Sequence, residues 1–205
     1  MAIISNAVTI ADAGAFSTSL GSMTLIKTLT ASSSNTLSFV HGASSVVLDG
    51  TYPIYKFEFI NCHPANNNVF FEFNMSVDSG SNYNVTKTTT FFQAELSEAG
   101  GGAQISYDTD DDLAQATGFQ HISDAVGNDN DANTNGYLTI FNPSSTTFVK
   151  HFIAQGSGMY ASSYIIPAYS AGYGNTTSAV NAIRFQFNSG AIASGKIKLY
   201  GIKDS

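Results

Sequence analysis

The chain has 205 residues and a mass of 21.6 kDa, room for one ordinary domain with enough interior to bury a real core. Apolar residues make up 43% and charged residues only 11%, against about 25% charged in typical soluble domains, and such a composition excludes a disordered chain. A formal net charge of −7 and a pI near 4.7, with the eight basic residues scattered along the chain, exclude a nucleic-acid binder that grips phosphates through clustered Lys and Arg.

The missing charge is replaced by 45 Ser and Thr and 17 Asn, the vocabulary of turns and solvent-facing strand positions. Cys62 is the lone cysteine, so no intrachain disulfide forms and packing alone must hold the fold. The first residues, MAIISNAVTIADAGAF, lack a positive region and are interrupted by Asp12, so no secretory signal is expected. No apolar run approaches the roughly 20 residues of a membrane span. The expectation is a soluble product made in a cytoplasm.

Taken in chain order, weak strand signals come first, at Met23–Thr30, Thr36–His41 and Val46–Leu48. The first strong one is Ile54–Ile60, where Tyr55, Phe57 and Phe59 alternate with Lys56 and Glu58; this is the period of a half-buried strand. Val69–Met75 repeats it, with Val69, Phe71, Phe73 and Met75 opposing Glu72 and Asn74. The intervening NCHPANNN holds Pro64 and an Asn run, so the two segments are expected to form an antiparallel pair joined by a loop. A further strand is expected at Thr88–Leu96.

From Lys87 to Lys150 no Lys or Arg intervenes, yet Glu95, Glu98, Asp108, Asp110, Asp111, Asp112, Asp124, Asp129 and Asp131 all fall there. With GGG at Gly100–Gly102 and VGNDNDANTNG at Val126–Gly136, this third of the chain reads as long acidic excursions from one end of the domain. They form a solvated face, a cation site or a surface for a basic partner. Only Asp110–Thr117 (DDDLAQAT) offers a helix start, of two turns at most. Strands follow at Tyr137–Phe141, Phe148–Ala154 and Tyr160–Ile166. Finally Ile183, Phe185 and Phe187 alternate with Arg184, Gln186 and Asn188, and SGAIASG turns the chain into Lys196–Tyr200 as a second hairpin-like unit.

Ten or more short strands with turn punctuation, and no helical crossovers, predict one all-β domain over residues 1–205. The expected architecture is an antiparallel, jelly-roll-like β-sandwich with long acidic loops. Phe57, Phe59, Phe71, Phe73, Phe185 and Phe187 are its expected core.

Motifs that carry chemistry are sparse. Asp131–Asn142 (DANTNGYLTIFN) places Asp131, Asn133 and Asn135 at the first calcium-loop positions and Gly136 at the turn. The twelfth position is Asn142 rather than Glu, and a strand follows instead of a helix. A looser oxygen cage from Asp129 and Asp131, or from Asp108, Asp110 and Asp112, stands beside the simpler reading of polar turns. Gly190–Lys196 (GAIASGK) matches a phosphate-cradling loop by spacing, but Ile197 stands where a hydroxyl is needed and no helix follows. His41, His63, His121 and His151 show no metal-ligand spacing. Sequons at Asn74, Asn84 and Asn175 mean little without secretion. No nucleophile elbow or paired-carboxylate motif occurs, so no catalytic, cofactor or metal residues are assigned and no enzyme is expected. Tyr160, Tyr164, Tyr169 and Tyr173 cluster in GMYASSYIIPAYSAGYGN, suited to subunit contacts or to stacking on sugar rings.

The segments NPSSTTFVK at Asn142–Lys150 and GYGNTTSAVNAIRFQFNSGAIASGKIKLYGIK, with GTYPIYKFEFINCHP and DSGSNYNVTKTTTFF nearer the N-terminus, resemble small β-rich structural proteins of marine tailed bacteriophages, of the cyanophage and pelagiphage type. The resemblance covers nearly the whole chain and consists of strand-and-turn signatures. It implies a non-enzymatic virion component assembled in the bacterial host cytoplasm, most simply a capsid-decorating subunit on the head surface. The alternative is a receptor- or glycan-binding tail fibre or knob. Implied partners are further copies of the chain, as a homotrimer, the major capsid protein or other virion proteins, and a host-surface glycan. Nucleic acid and membrane are not implied, nor is any cofactor.

Overall fold

The computed structural model describes residues 22–161 and 163–203, together with the backbone of three short strands ahead of them. Those three, β1 (Ile3–Ser5), β2 (Val8–Asp12) and β3 (Ala15–Phe16), form a small antiparallel sheet. Every other element is also a strand: β4 (Met23–Ser34), β5 (Leu37–Val40), β6 (Ile54–Pro64), β7 (Val69–Ser76), β8 (Lys87–Ser97), β9 (Gln104–Tyr107), β10 (Gln120–Val126), β11 (Thr134–Phe141), β12 (Lys150–Tyr160), β13 (Tyr164–Gly174), β14 (Ala182–Phe187) and β15 (Ile192–Ile202). No helix occurs among the described residues.

The chain is an all-β, antiparallel sandwich with a nearly closed sheet. One layer runs β4-β15-β6-β11-β12 and continues through β13 and β8 to β9. The other is β10-β7-β14-β5, joined to the first by a single pair between Val126 and Tyr160. Closure leaves fewer open edges for another chain to pair with. The two layers meet on an aromatic core. Phe185 of β14 stands at its centre, its ring 5.2 Å from Phe57 and Phe59 of β6 and 6.2 Å from Phe39 of β5, distances at which tilted rings attract. All six phenylalanines expected in the core are buried.

The expected strand pairings are not the ones the structure adopts. β6 pairs with β11 and β15, whereas β7 pairs with β10 and β14. The chain between them is an arch from one layer to the other, with Asn68 in the left-handed region at φ 55°, a conformation Asn tolerates. The second expected hairpin is likewise an arch, since β14 pairs with β5 and β7 and β15 with β4 and β6. The physical reason is the same in both. Two strands that each carry one row of large apolar side chains bury both rows at once by facing each other across the core, as Phe59 and Phe71 do at 5.2 Å.

Other differences are local. Residues 110–117 are a loop rather than a helix, because their backbone is spent on β8. The amides of Thr89 and Lys87 donate to the carbonyls of Leu113 and Ala116, and the Ala116 amide donates back to Lys87. Val46–Leu48 is irregular but buried. The segment read as one strand at Tyr160–Ile166 contains the turn between β12 and β13, whose Ser163 amide closes on the Tyr160 carbonyl. Gly100–Gly102 lies in the connection from β8 to β9, where Ser97 donates to Gly101, and is no long excursion. That turn does sit at the predicted end: Glu98 donates to Ser163, and Gly127 to Met159.

Candidate interaction surface and acidic groove

Alternation along β12, β13, β8 and β9 buries one side and leaves the other in solvent. Successive side chains in a strand point to opposite faces, so in TTTFF the neighbours Phe91 and Phe92 divide between core and surface: Phe91 is buried and Phe92 is 44% exposed. Register then assembles the outer face. Gln155, Tyr169, Phe92 and Tyr107 lie side by side across the four strands. Phe92 and Tyr169 stack at 5.0 Å with their planes 11° apart, and Gln155 Nε2 donates to the Tyr169 hydroxyl. Ile153, Ile165, Leu96 and Ile105 extend the same face, all exposed. No Asp, Glu, Lys or Arg occupies an outward position on these four strands. In a chain of net charge −7, such a face can meet another copy without like-charge repulsion.

At the turn end of this sheet lies an open groove of about 520 Å³, lined by Glu95, Asp124, Ala125, Tyr160, Tyr164 and Ile166. Buried Gln93 bridges two of the lining carboxylates, its Nε2 donating to Glu95 Oε1 at 3.2 Å and to Asp124 Oδ2 at 3.0 Å. Gln104 donates to the other Glu95 oxygen at 2.9 Å. Burial raises the Asp124 carboxyl above its ordinary value, and the charges of Asp111 and Asp108 act in the same direction, against the lowering hydrogen bond from Gln93. The rings of Tyr160 and Tyr164 meet at 6.4 Å, inclined at 66°.

The structure therefore splits the tyrosine cluster. Tyr160 and Tyr164 line the groove, Tyr169 belongs to the outer face, and Tyr173 packs against His151 at 5.8 Å. The acidic residues are also dispersed. Asp108 accepts from the Asp110 amide, Asp112 from the Tyr107 hydroxyl, and Asp111 engages His121 Nδ1 at 2.6 Å. Asp129 and Asp131 lie in the approach to β11, whose residues Asn135 and Gly136 are already paired in a sheet. No group of three or more His, Cys, Asp or Glu stands close enough to hold a metal among the described residues. The GAIASGK segment runs directly into β15, so it cannot present helix amides to phosphate. Of the sequons, Asn74 is buried in β7.

His121 lies on the polar face of β7 and β10. Its Nε2 is 3.4 Å from Glu72 Oε2, its Nδ1 engages Asp111, and its ring stacks on Phe70 at 4.4 Å. Burial acts to lower its pKa, but the hydrogen bonds and charges of Asp111 and Glu72 outweigh it and raise the value to about 9. The imidazole is therefore a cation at neutral pH, tying the acidic loop to the sheet beneath it. Sequence reading missed the groove and this triad because their members come from separate segments. The adjacent phenylalanines Phe70–Phe71 and Phe91–Phe92 were the available signal that both faces of those strands are occupied.

No family model, curated protein or solved structure matches the chain. No helix among the described residues is long and apolar enough to cross a membrane.

Proposed function

We propose that this protein is a non-enzymatic structural subunit of a bacteriophage particle, a capsid-decorating protein that assembles with copies of itself and with the shell. The observation that carries this reading is the outer face centred on Phe92 and Tyr169, whose four strands present no charged side chain and which meets the Asp112 carboxylate only at its Tyr107 margin. Three strands of eleven residues and one of four, about 4.8 Å apart and rising about 3.3 Å per residue, give it a footprint of roughly 600 Å², the upper range of apolar patches on monomers. That is about three-quarters of one side of a standard interface, so pairwise contacts are weak and gain strength from repetition in a lattice or closed ring.

Both oxygens of Glu95 accept hydrogen bonds, from Gln93 and Gln104, and the reading assigns Glu95 and Asp124 no catalytic role. The groove favours a second reading, a tail fibre or knob that binds a host glycan, with Tyr160 and Tyr164 stacking on a sugar and Asp124 accepting from its hydroxyls.

Sedimentation over a wide concentration range tests the assembly. The wild-type chain is expected to form trimers or larger species at high micromolar concentration, and Phe92→Asp to remain monomeric with an unchanged circular dichroism spectrum. A wild-type monomer throughout would remove the proposal's basis. Copy number in purified particles then separates the two readings: hundreds on the head support decoration, and a few dozen confined to the tail support the fibre.

A further inference from the structure

Two lysines are buried, Lys87 and Lys150, and they differ in what surrounds them. Lys150 Nζ donates to the backbone carbonyls of Phe148 and Thr176, which are unreactive towards amines. Lys87, the first residue of β8, has a side-chain carboxamide as its partner. Its Nζ is 2.6 Å from Oδ1 of Asn74 in β7 and 2.8 Å from the Val85 carbonyl. Lys87 makes no salt bridge among the described residues. A buried ammonium without a counter-ion is costly, whereas a neutral amine has two N–H donors, matching the two acceptors present.

Asn74 is held equally firmly. Its Nδ2 donates to the carbonyls of Tyr83 at 2.7 Å and Thr117 at 3.0 Å, with Gly118 at 3.3 Å, and its Oδ1 also accepts from the Met75 amide at 2.8 Å. Asn74 and Lys87 are both fully enclosed, so water is excluded from the pair. With a C=O bond of about 1.2 Å, Nζ lies no more than about 3.8 Å from the carboxamide carbon Cγ, close to the 3–3.5 Å of a near-attack arrangement.

We propose that Lys87 and Asn74 are the site of a spontaneous intramolecular isopeptide bond that ties β8 to β7. The Nζ lone pair attacks Cγ, forming the new C–N bond while the C=O π electrons move to Oδ1. The developing oxyanion is met by the Met75 amide. One proton passes from Nζ to Nδ2 within the adduct, Oδ1 returns its electrons, and the Cγ–Nδ2 bond breaks to release ammonia. A primary amine and a primary amide become a secondary amide and ammonia, with no change of oxidation state. Desolvation supplies the nucleophile, because burial lowers the Lys87 pKa to about 7 and leaves a large neutral fraction at neutral pH. Glu72, two residues before Asn74 on the same face of β7, is engaged with His121, which in turn engages Asp111. With the proton passing directly between the nitrogens, the bond forms slowly, after folding.

Intact-mass spectrometry of the purified full chain, incubated at pH 8, tests this directly. The expected mass falls about 17 Da below that of the sequence, the loss of one ammonia in forming the covalent link, and a tryptic digest contains a branched peptide joining the Asn74 and Lys87 segments. Asn74→Ala and Lys87→Met are each expected to show their full sequence mass, and Lys150→Met to retain the deficit. Because the branched peptide identifies the bond in the wild-type chain itself, misfolding of a variant does not blur the result. A wild-type chain at full mass, with its β-sheet spectrum intact, overturns the proposal. So does a deficit that persists in Lys87→Met, which would place the loss of ammonia at another asparagine.

Discussion

Replacing His121 by glutamine tests whether the imidazolium secures the acidic loop to the sheet. His121 lies between Asp111 of the loop and Glu72 of β7, with its side chain 19% exposed, so solvent screening is limited. Its pKa is 6.5 in an unperturbed chain and about 9 in the fold. A pKa raised by folding stabilises the native state fully below the unfolded value, and the contribution fades as pH rises through the folded one. At about 1.4 kcal/mol for each pH unit separating the two values, the effect is about 3 kcal/mol. Urea unfolding of wild-type and His121→Gln chains should therefore show a stability gap that is widest near pH 6 and narrows by about 3 kcal/mol towards pH 10. Glutamine keeps hydrogen-bonding capacity but cannot carry the charge, so the pH-dependent part of the gap isolates the ion pairs from lost packing against Phe70. A gap that stays constant from pH 6 to pH 10, or an imidazole titrating near 6.5 by NMR, would refute the reasoning.

Three further outcomes follow from packing. Phe185→Ala removes the ring around which Phe39, Phe57, Phe59, Phe71 and Phe73 are arranged, and should cost about 3–5 kcal/mol in chemical denaturation; a loss below about 1 kcal/mol would mean that the core refills. Gly156→Ala should destabilise by about 2 kcal/mol, since its Cβ would fall 2.1 Å from Ser123 Oγ and 2.4 Å from the Ile122 carbonyl where β10 crosses β12; an unchanged unfolding midpoint contradicts that close approach. Cys62 is enclosed and its thiol is pushed up to about 12 by burial; it should resist thiol reagents at pH 8 in the native state and react at once in urea.

Much of this protein was legible in order of residues alone. Alternation at Ile54–Ile60, Val69–Met75 and around Phe185 determined that the chain is all-β and which side chains form the core, because a period of two assigns each residue to a face without reference to anything distant. The same period says nothing about neighbours. Whether β6 and β7 form a hairpin or an arch was decided by the facing layer, where Phe59 meets Phe71. The loop at residues 110–117 has helix-compatible local chemistry, but β8 offered its backbone stronger partners than a two-turn helix could. The groove joins Glu95, Asp124, Tyr160 and Tyr164, and the Lys87–Asn74 pair joins two strands. These juxtapositions come from strand order and register, which depend on how all the apolar faces are buried together, and only the tertiary structure decides that.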